Sequence, residues 1–228
     1  MKTAIYLLLT PLLIILAISA KSQKEHTLFL RSGNLQTTSN ISAAHVENFN
    51  SRSLKSKGKT FAVLQFENIP SQATKNFLSG QGVELLEYIP QNAYTVSIMG
   101  NLNAGVLQKL GVRSLIQLSP KQKMDPLLVK GHIPDWARKK EGYVDIRIRY
   151  TPAFTLPEVL LILEQKNIEV IATELQAYRV ISIRVAIAHL EEVAAQPFID
   201  YVEPLPPPDK PVNENSRNAS RGNVLTAS

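Results

Sequence analysis

Four histidines are the first candidates for chemistry: His26, His45, His132 and His189. His132 lies in a Pro-rich stretch. His189 precedes Leu190-Glu191-Glu192, which lacks the H-E-x-x-H spacing of a zinc-binding helix. Neither has a nucleophile motif to serve as a base. There is no G-x-S-x-G elbow and no Gly-rich phosphate loop. Cys is absent, which excludes a thiol nucleophile, a Cys-ligated zinc, an iron–sulfur cluster, a disulfide framework and a lipid-anchored N-terminal Cys. Glu84 and Glu169 occupy matching positions in two similar segments, and they read as solvent-facing strand residues in separate units. Asn40-Ile41-Ser42 and Asn218-Ala219-Ser220 match the glycosylation triplet, a pattern that chance supplies often. The expectation is a chain with no catalytic residues, no cofactor and no metal.

What remains is a scaffold. The 228 residues are 44% hydrophobic with a formal charge of +6. That is too apolar for a disordered chain and too weakly basic for a nucleic-acid arm. Met1-Lys2, an apolar run from Ala4 to Ala20 and a small-x-small site at Ala20-Lys21-Ser22 have the layout of a signal peptide cut near Ser22 and Gln23. Cleavage there removes Lys2 and Lys21 and lowers the charge from +6 to +4. A secreted or periplasmic location follows, with no stable membrane anchor after cleavage and no nucleic-acid partner.

Residues 23–58 are rich in Ser, Asn, Lys and Arg and read as a polar linker, with one short strand at Thr27–Leu30. From Thr60 the order is β-α-β-β-α-β. Thr60–Phe66 is a strand, Ser71 caps a helix through Leu78, and Gly80 and Gly82 stop it. Val83–Ile89 and Tyr94–Ile98 are strands joined by a Pro90-Gln91-Asn92 turn. Ala104–Leu110 is a helix and Val112–Leu118 a strand. The order recurs after a second linker, 120–142, which holds Pro120, Pro126, Pro134 and the only Trp, Trp136. Tyr143–Tyr150 alternates strictly. Thr155-Leu156-Pro157-Glu158 is a capping box, and Leu156, Val159, Leu160 and Leu163 form a helical stripe. Ile168–Ala172, Tyr178–Val185, His189–Gln196 and Phe198–Val202 complete the second set. Gly82-Val83-Glu84-Leu85-Leu86 matches Asn167-Ile168-Glu169-Val170-Ile171, and Asn92-Ala93-Tyr94 matches Gln176-Ala177-Tyr178.

The expected fold is therefore α+β: two tandem ferredoxin-like units, 59–119 and 143–204, each an antiparallel sheet with two helices on one face. Residues 205–228 read as a disordered tail that opens with a Pro run. A bare sheet face should alternate to polar. Tyr178–Val185 instead offers Tyr178 and Val180 on one side and Ile181 and Ile183 on the other. Something must then cover the second face: the sister unit, linker residues such as Trp136, or an external partner.

The run Phe61-Ala62-Val63-Leu64-Gln65-Phe66, with Phe77-Leu78 and Gly82-Val83-Glu84-Leu85-Leu86-Glu87-Tyr88-Ile89-Pro90-Gln91-Asn92-Ala93-Tyr94, resembles the N-terminal prodomain of secreted bacterial subtilisin-like serine proteases. The second unit resembles the same inhibitor-propeptide fold and closes in Phe198-Ile199-Asp200-Tyr201-Val202-Glu203-Pro204. The resemblance covers about Thr60–Pro204. It implies an intramolecular chaperone and inhibitor of a protease domain joined in cis or met in trans. The open sheet face would pack on the protease, through Tyr178, Val180, Ile181, Ile183, Phe198, Tyr201, Val202 and Glu203. The tail would lie along the substrate cleft as an added strand. No Asp-x-Gly, His-Gly-Thr or Gly-Thr-Ser motif is present, so no catalytic triad transfers to these residues. The chain would be a precursor fragment, a split gene product or a free-standing inhibitor. A ligand-binding module is the alternative from another class, and it would place polar groups in a pocket where the units meet. A structural or spacer role is another.

Overall fold

A computed structural model of the protein describes residues 27–208. The expected signal peptide, with Ser22 and Gln23, and the tail from Asp209 onward lie outside the described residues. Leu205–Pro208 carry no regular structure.

Two four-stranded antiparallel sheets form the frame. In the first unit the strands are β3 (Lys59–Phe66), β4 (Val83–Ile89), β5 (Ala93–Met99) and β6 (Val112–Ile116), in the order β4-β5-β3-β6. In the second they are β7 (Tyr143–Tyr150), β8 (Glu169–Ala172), β9 (Val180–Ala186) and β10 (Ile199–Pro204), in the order β10-β7-β9-β8. Both orders place the first and third strands at the centre and the second and fourth at the edges, the ferredoxin-like arrangement.

Alternation decides which face each sheet buries. In the first sheet Ala62, Leu64, Phe66, Val96 and Ile98 point to the helices and join Leu78 of α2 (Gln72–Gly80) and Leu107 of α3 (Ala104–Lys109). In the second sheet Val144, Ile146, Ile148, Ile181, Ile183 and Val185 do the same against Val159 and Leu163 of α5 (Leu156–Gln165) and Leu190, Val193 and Ala194 of α6 (Leu190–Ala194). The caps are as expected. Ser71 Oγ accepts from the Thr74 N–H at 3.1 Å, and Glu158 Oε2 accepts from the Thr155 N–H at 2.9 Å. Gly82 adopts φ +77°, and an added Cβ would sit 2.7 Å from the Met99 carbonyl oxygen, so only Gly fits that turn.

The polar linker expected over 23–58 is a correction. Thr27–Leu30 is a strand, β1, as expected, but it pairs with β2 (Gly33–Gln36) as a hairpin. Ala43–Arg52 then forms a helix, α1, whose Val46 and Phe49 are buried in the first core with Ile41. The physical reason lies in its polar residues, which serve the backbone of the neighbouring unit. Asn50 Nδ2 donates to the Leu102 carbonyl and Asn50 Oδ1 accepts from the Leu102 N–H, both at 2.9 Å. His45 Nε2 lies 2.8 Å from the Leu115 carbonyl, and Gln108 Nε2 donates to the Ile41 carbonyl at 2.8 Å.

The second linker also folds onto its neighbour. Pro120–Lys123 is a 3₁₀ turn, Pro126–Val129 a short helix, α4, and Asp135–Ala137 a second 3₁₀ turn. Met124, Leu128 and Ala137 are buried in the second core. Met124 bridges to Val202, and the Asp125 N–H donates to the Val202 carbonyl at 2.8 Å, so this segment lines the outer edge of β10.

Candidate functional site at the junction of the units

The faces turned away from the helices differ between the units. On the first sheet the hairpin covers part of that face: Leu28, Leu30 and Leu35 pack on Val63, Ala93, Ile89 and Ile116. Thr37 Oγ1 donates to the buried Gln65 at 2.7 Å and fixes the hairpin's exit. Phe61, next to this patch, packs on the second core, with its ring 5.7 Å from that of Phe154.

On the second sheet the open face is charged rather than apolar, which corrects the two-sided apolar strand expected at Tyr178–Val185. β9 begins only at Val180. Gln176–Tyr178 is a 3₁₀ turn and Arg179 is left-handed at φ 58°, so Tyr178 stands outside the sheet at 73% exposure. Beyond Val180 the open face holds Ser182 and Arg184, opposite Arg147 and Asp145 of β7. Arg184 grips the buried Asp145 with two bonds, Nε–Oδ1 at 2.7 Å and Nη2–Oδ2 at 2.9 Å. Four of the expected contact residues are core instead. Ile181, Ile183, Phe198 and Val202 are all 1% exposed or less: the strands turn Ile181, Ile183 and Val202 to the helices, and Phe198, just before β10, packs in the same core against Phe154. Tyr201 is on the open face but buried, beneath the Arg31 guanidinium 4.3 Å above its ring, and Arg31 also binds Glu203 at 2.6 Å. Tyr178 and half-buried Val180 remain available. Glu84 and Glu169 have largely exposed side chains and pair with Lys59 and Arg184 in their own units.

Where the units meet, a cleft of about 290 Å³ opens. Its walls are apolar, with Leu30, Phe61, Val63, Ile89 and Leu118 from the first unit and its hairpin, and Pro197 and Ile199 from the second. Its polar residues converge because of two β-bulges. A bulge between Ile199 and Tyr201 releases Asp200 from the ladder, and another between Leu85 and Tyr88 releases Glu87. Bulges re-aim side chains in this way and recur beside functional sites. Glu87 Oε1 accepts from Arg149 Nη2 at 2.7 Å and from Arg179 Nη2, so a carboxylate of one unit is held by two cations of the other. Lys123, at the end of its 3₁₀ turn, donates to the Gln196 carbonyl at 3.2 Å. Asp200 Oδ2, Thr151 Oγ1 and Arg149 Nε are enclosed without a hydrogen-bond partner among the described residues.

This enclosure shifts proton affinities. Burial pushes the Asp200 carboxyl up to about 7; the Glu87 charge adds to the rise, while Lys123, Arg149 and Arg179 oppose it. Burial pulls the Lys123 ammonium down to about 8, and Asp200 resists that fall. Sequence reading missed this cleft. Lys123, Asp200 and Glu87 are far apart in the chain, and bulges are not legible as spacing. Among the described residues no group of three His, Asp or Glu side chains is placed to hold a metal ion, and no helix is long and apolar enough to cross a membrane.

Residues 29–119 are similar to a family described as a domain of unknown function (DUF8729). The matched stretch spans most of the hairpin, α1 and the whole first ferredoxin-like unit, the same set of elements that packs together here. No curated protein and no solved structure matches the chain.

Proposed function

We propose that this protein is the propeptide region of a subtilisin-like serine protease, an intramolecular chaperone and inhibitor delivered by secretion and itself without catalysis. One observation carries the reading alongside the sequence resemblance: the exit of the chain. β10 is an edge strand of its sheet, and it passes directly into the Pro-rich run Leu205-Pro206-Pro207-Pro208. The start of that run is clamped. The Leu205 N–H donates to the Asp145 carbonyl at 3.0 Å, and Trp136 Nε1 donates to the Leu205 carbonyl at 2.9 Å. A segment stiffened by three prolines and leaving a rigid sheet suits delivery of the tail that follows to a substrate cleft, because little ordering entropy remains to be lost at its base; the prolines themselves have no N–H to add to a ladder. The protease would meet the side of the second sheet left free by the hairpin, around Tyr178, Arg147 and Arg184. Binding the folded enzyme stabilises it by mass action, and binding its folding transition state speeds folding.

The test uses residues 23–228 as a separate polypeptide with a subtilisin-like protease. Inhibition with a constant between about 1 nM and 1 μM is expected, as for a specific interface. A chain ending at Pro204 should inhibit at least about tenfold less. Absence both of inhibition and of any gain in protease refolding overturns the reading.

A further inference from the structure

We propose that the cleft between the two units is a binding site for a small zwitterion with an apolar side chain, an apolar amino acid or dipeptide. The proposal is independent of the propeptide reading. The cleft is close to the lower size of small-molecule sites, which run from about 300 Å³ upward. Apolar walls with a few convergent polar groups are the usual make-up of such sites. Here the polar groups are of both signs, and part of their bonding capacity is unused. Asp200 Oδ2 can accept from an ammonium, and Thr151 Oγ1, from a residue that also lines the cleft, is a further acceptor. Lys123 Nζ, which bonds to a neutral carbonyl, and Arg149 Nε can donate to a carboxylate. Thr151 is 1% exposed, so its free hydroxyl is enclosed rather than a surface group. Phe61, Ile89 and Leu118, the partly exposed members of the apolar wall, would take the side chain.

The four polar residues come from one side of the cleft, the second unit and the turn that leads to it, whereas most of the apolar wall comes from the first. A ligand would therefore touch both units. The surroundings of Asp200 add a pH signature. Glu87 from β4, Lys123 from the preceding 3₁₀ turn, Arg149 from β7 and Arg179 before β9 all act on its charge. Ionised Asp200 is the form that receives an ammonium and protonated Lys123 the form that holds a carboxylate, so affinity should rise as the pH passes through about 7 and fall again as Lys123 loses its proton near 8.

The experiment is a titration of isotope-labelled residues 23–228, followed by backbone amide shifts, with L-phenylalanine, with the dipeptide Phe-Leu and with N-acetyl-phenylalanine amide. One or both zwitterions should shift amides around Thr151, Asp200 and Val63 with Kd of about 1 mM or tighter, and the neutral amide should bind at least about tenfold more weakly. Binding of only one zwitterion names the source, a free amino acid or a peptide. Asp200→Asn and the near-isosteric Thr151→Val should each weaken binding by about tenfold, with amide dispersion reporting that the fold is kept. The proposal is overturned if neither zwitterion shifts cleft amides of the wild-type chain, if the neutral amide binds equally well, or if folded variants bind undiminished.

Discussion

Asp200 shows how one residue's placement sets a property of the molecule. Its folded proton affinity is raised, so the folded state gains over the unfolded state in acid. That advantage is complete below about pH 4, where the unfolded carboxyl is also protonated, and is lost as the pH rises through about 7. Lys123 has the opposite sign: its lowered affinity costs stability below about 8, and the loss is recovered as the pH rises toward 10.5. Stability should therefore dip near pH 7–8. Asp200→Asn should flatten the fall between about pH 4 and 7 and add about 1–2 kcal/mol at neutral pH, discounted because the residue as a whole is only half-buried. Urea denaturation across pH checks this, and an unchanged slope in the variant would contradict it. Phe154 is a second residue with wide influence. Its ring packs at a tilt between Phe61 of the first unit and Phe198 of the second, the latter at 5.6 Å.

At the scale of elements, α1 is the clearest case of structure made by hydrogen bonds as much as by apolar area. Asn50 both donates to and accepts from Leu102. Asn50→Ala should leave both backbone groups short of a partner and destabilise by about 1–3 kcal/mol, measured by chemical denaturation. The same helix explains how far the sequence was legible. The strands and longer helices of both units announced themselves through period-two alternation and apolar stripes, because each turns one face to a core. α1 turns only Val46 and Phe49 inward, and its remaining residues look like those of a solvated linker. The strand at Tyr178 was misplaced for another reason: the left-handed Arg179 breaks the alternation just before β9, and a positive φ at Arg leaves no mark in composition. The charged cleft was illegible because its members meet only when two bulges and two units come together.

For the whole molecule, the junction joins two small units into one body. It holds the Phe61–Phe154–Phe198 ring cluster, the Glu87–Arg149–Arg179 cluster, the Lys57–Glu158 pair and the Arg31–Glu203 pair. Units of about 60 residues are marginal alone. Phe154→Ala should cost about 3–5 kcal/mol and split a single calorimetric transition into two, whereas one undivided transition in the variant would show that the units do not depend on these ring contacts. The hairpin has a consequence for synthesis. It precedes the first unit, so the face it covers is sheltered while the ribosome is still making the second. Phe61 has no such shelter, since its cover is Phe154, and the Arg31–Glu203 contact spans 172 positions. A nascent chain stalled before residue 150 would thus leave the Phe61 ring without its Phe154 cover, and Arg31 would gain its Glu203 partner only once β10 has emerged.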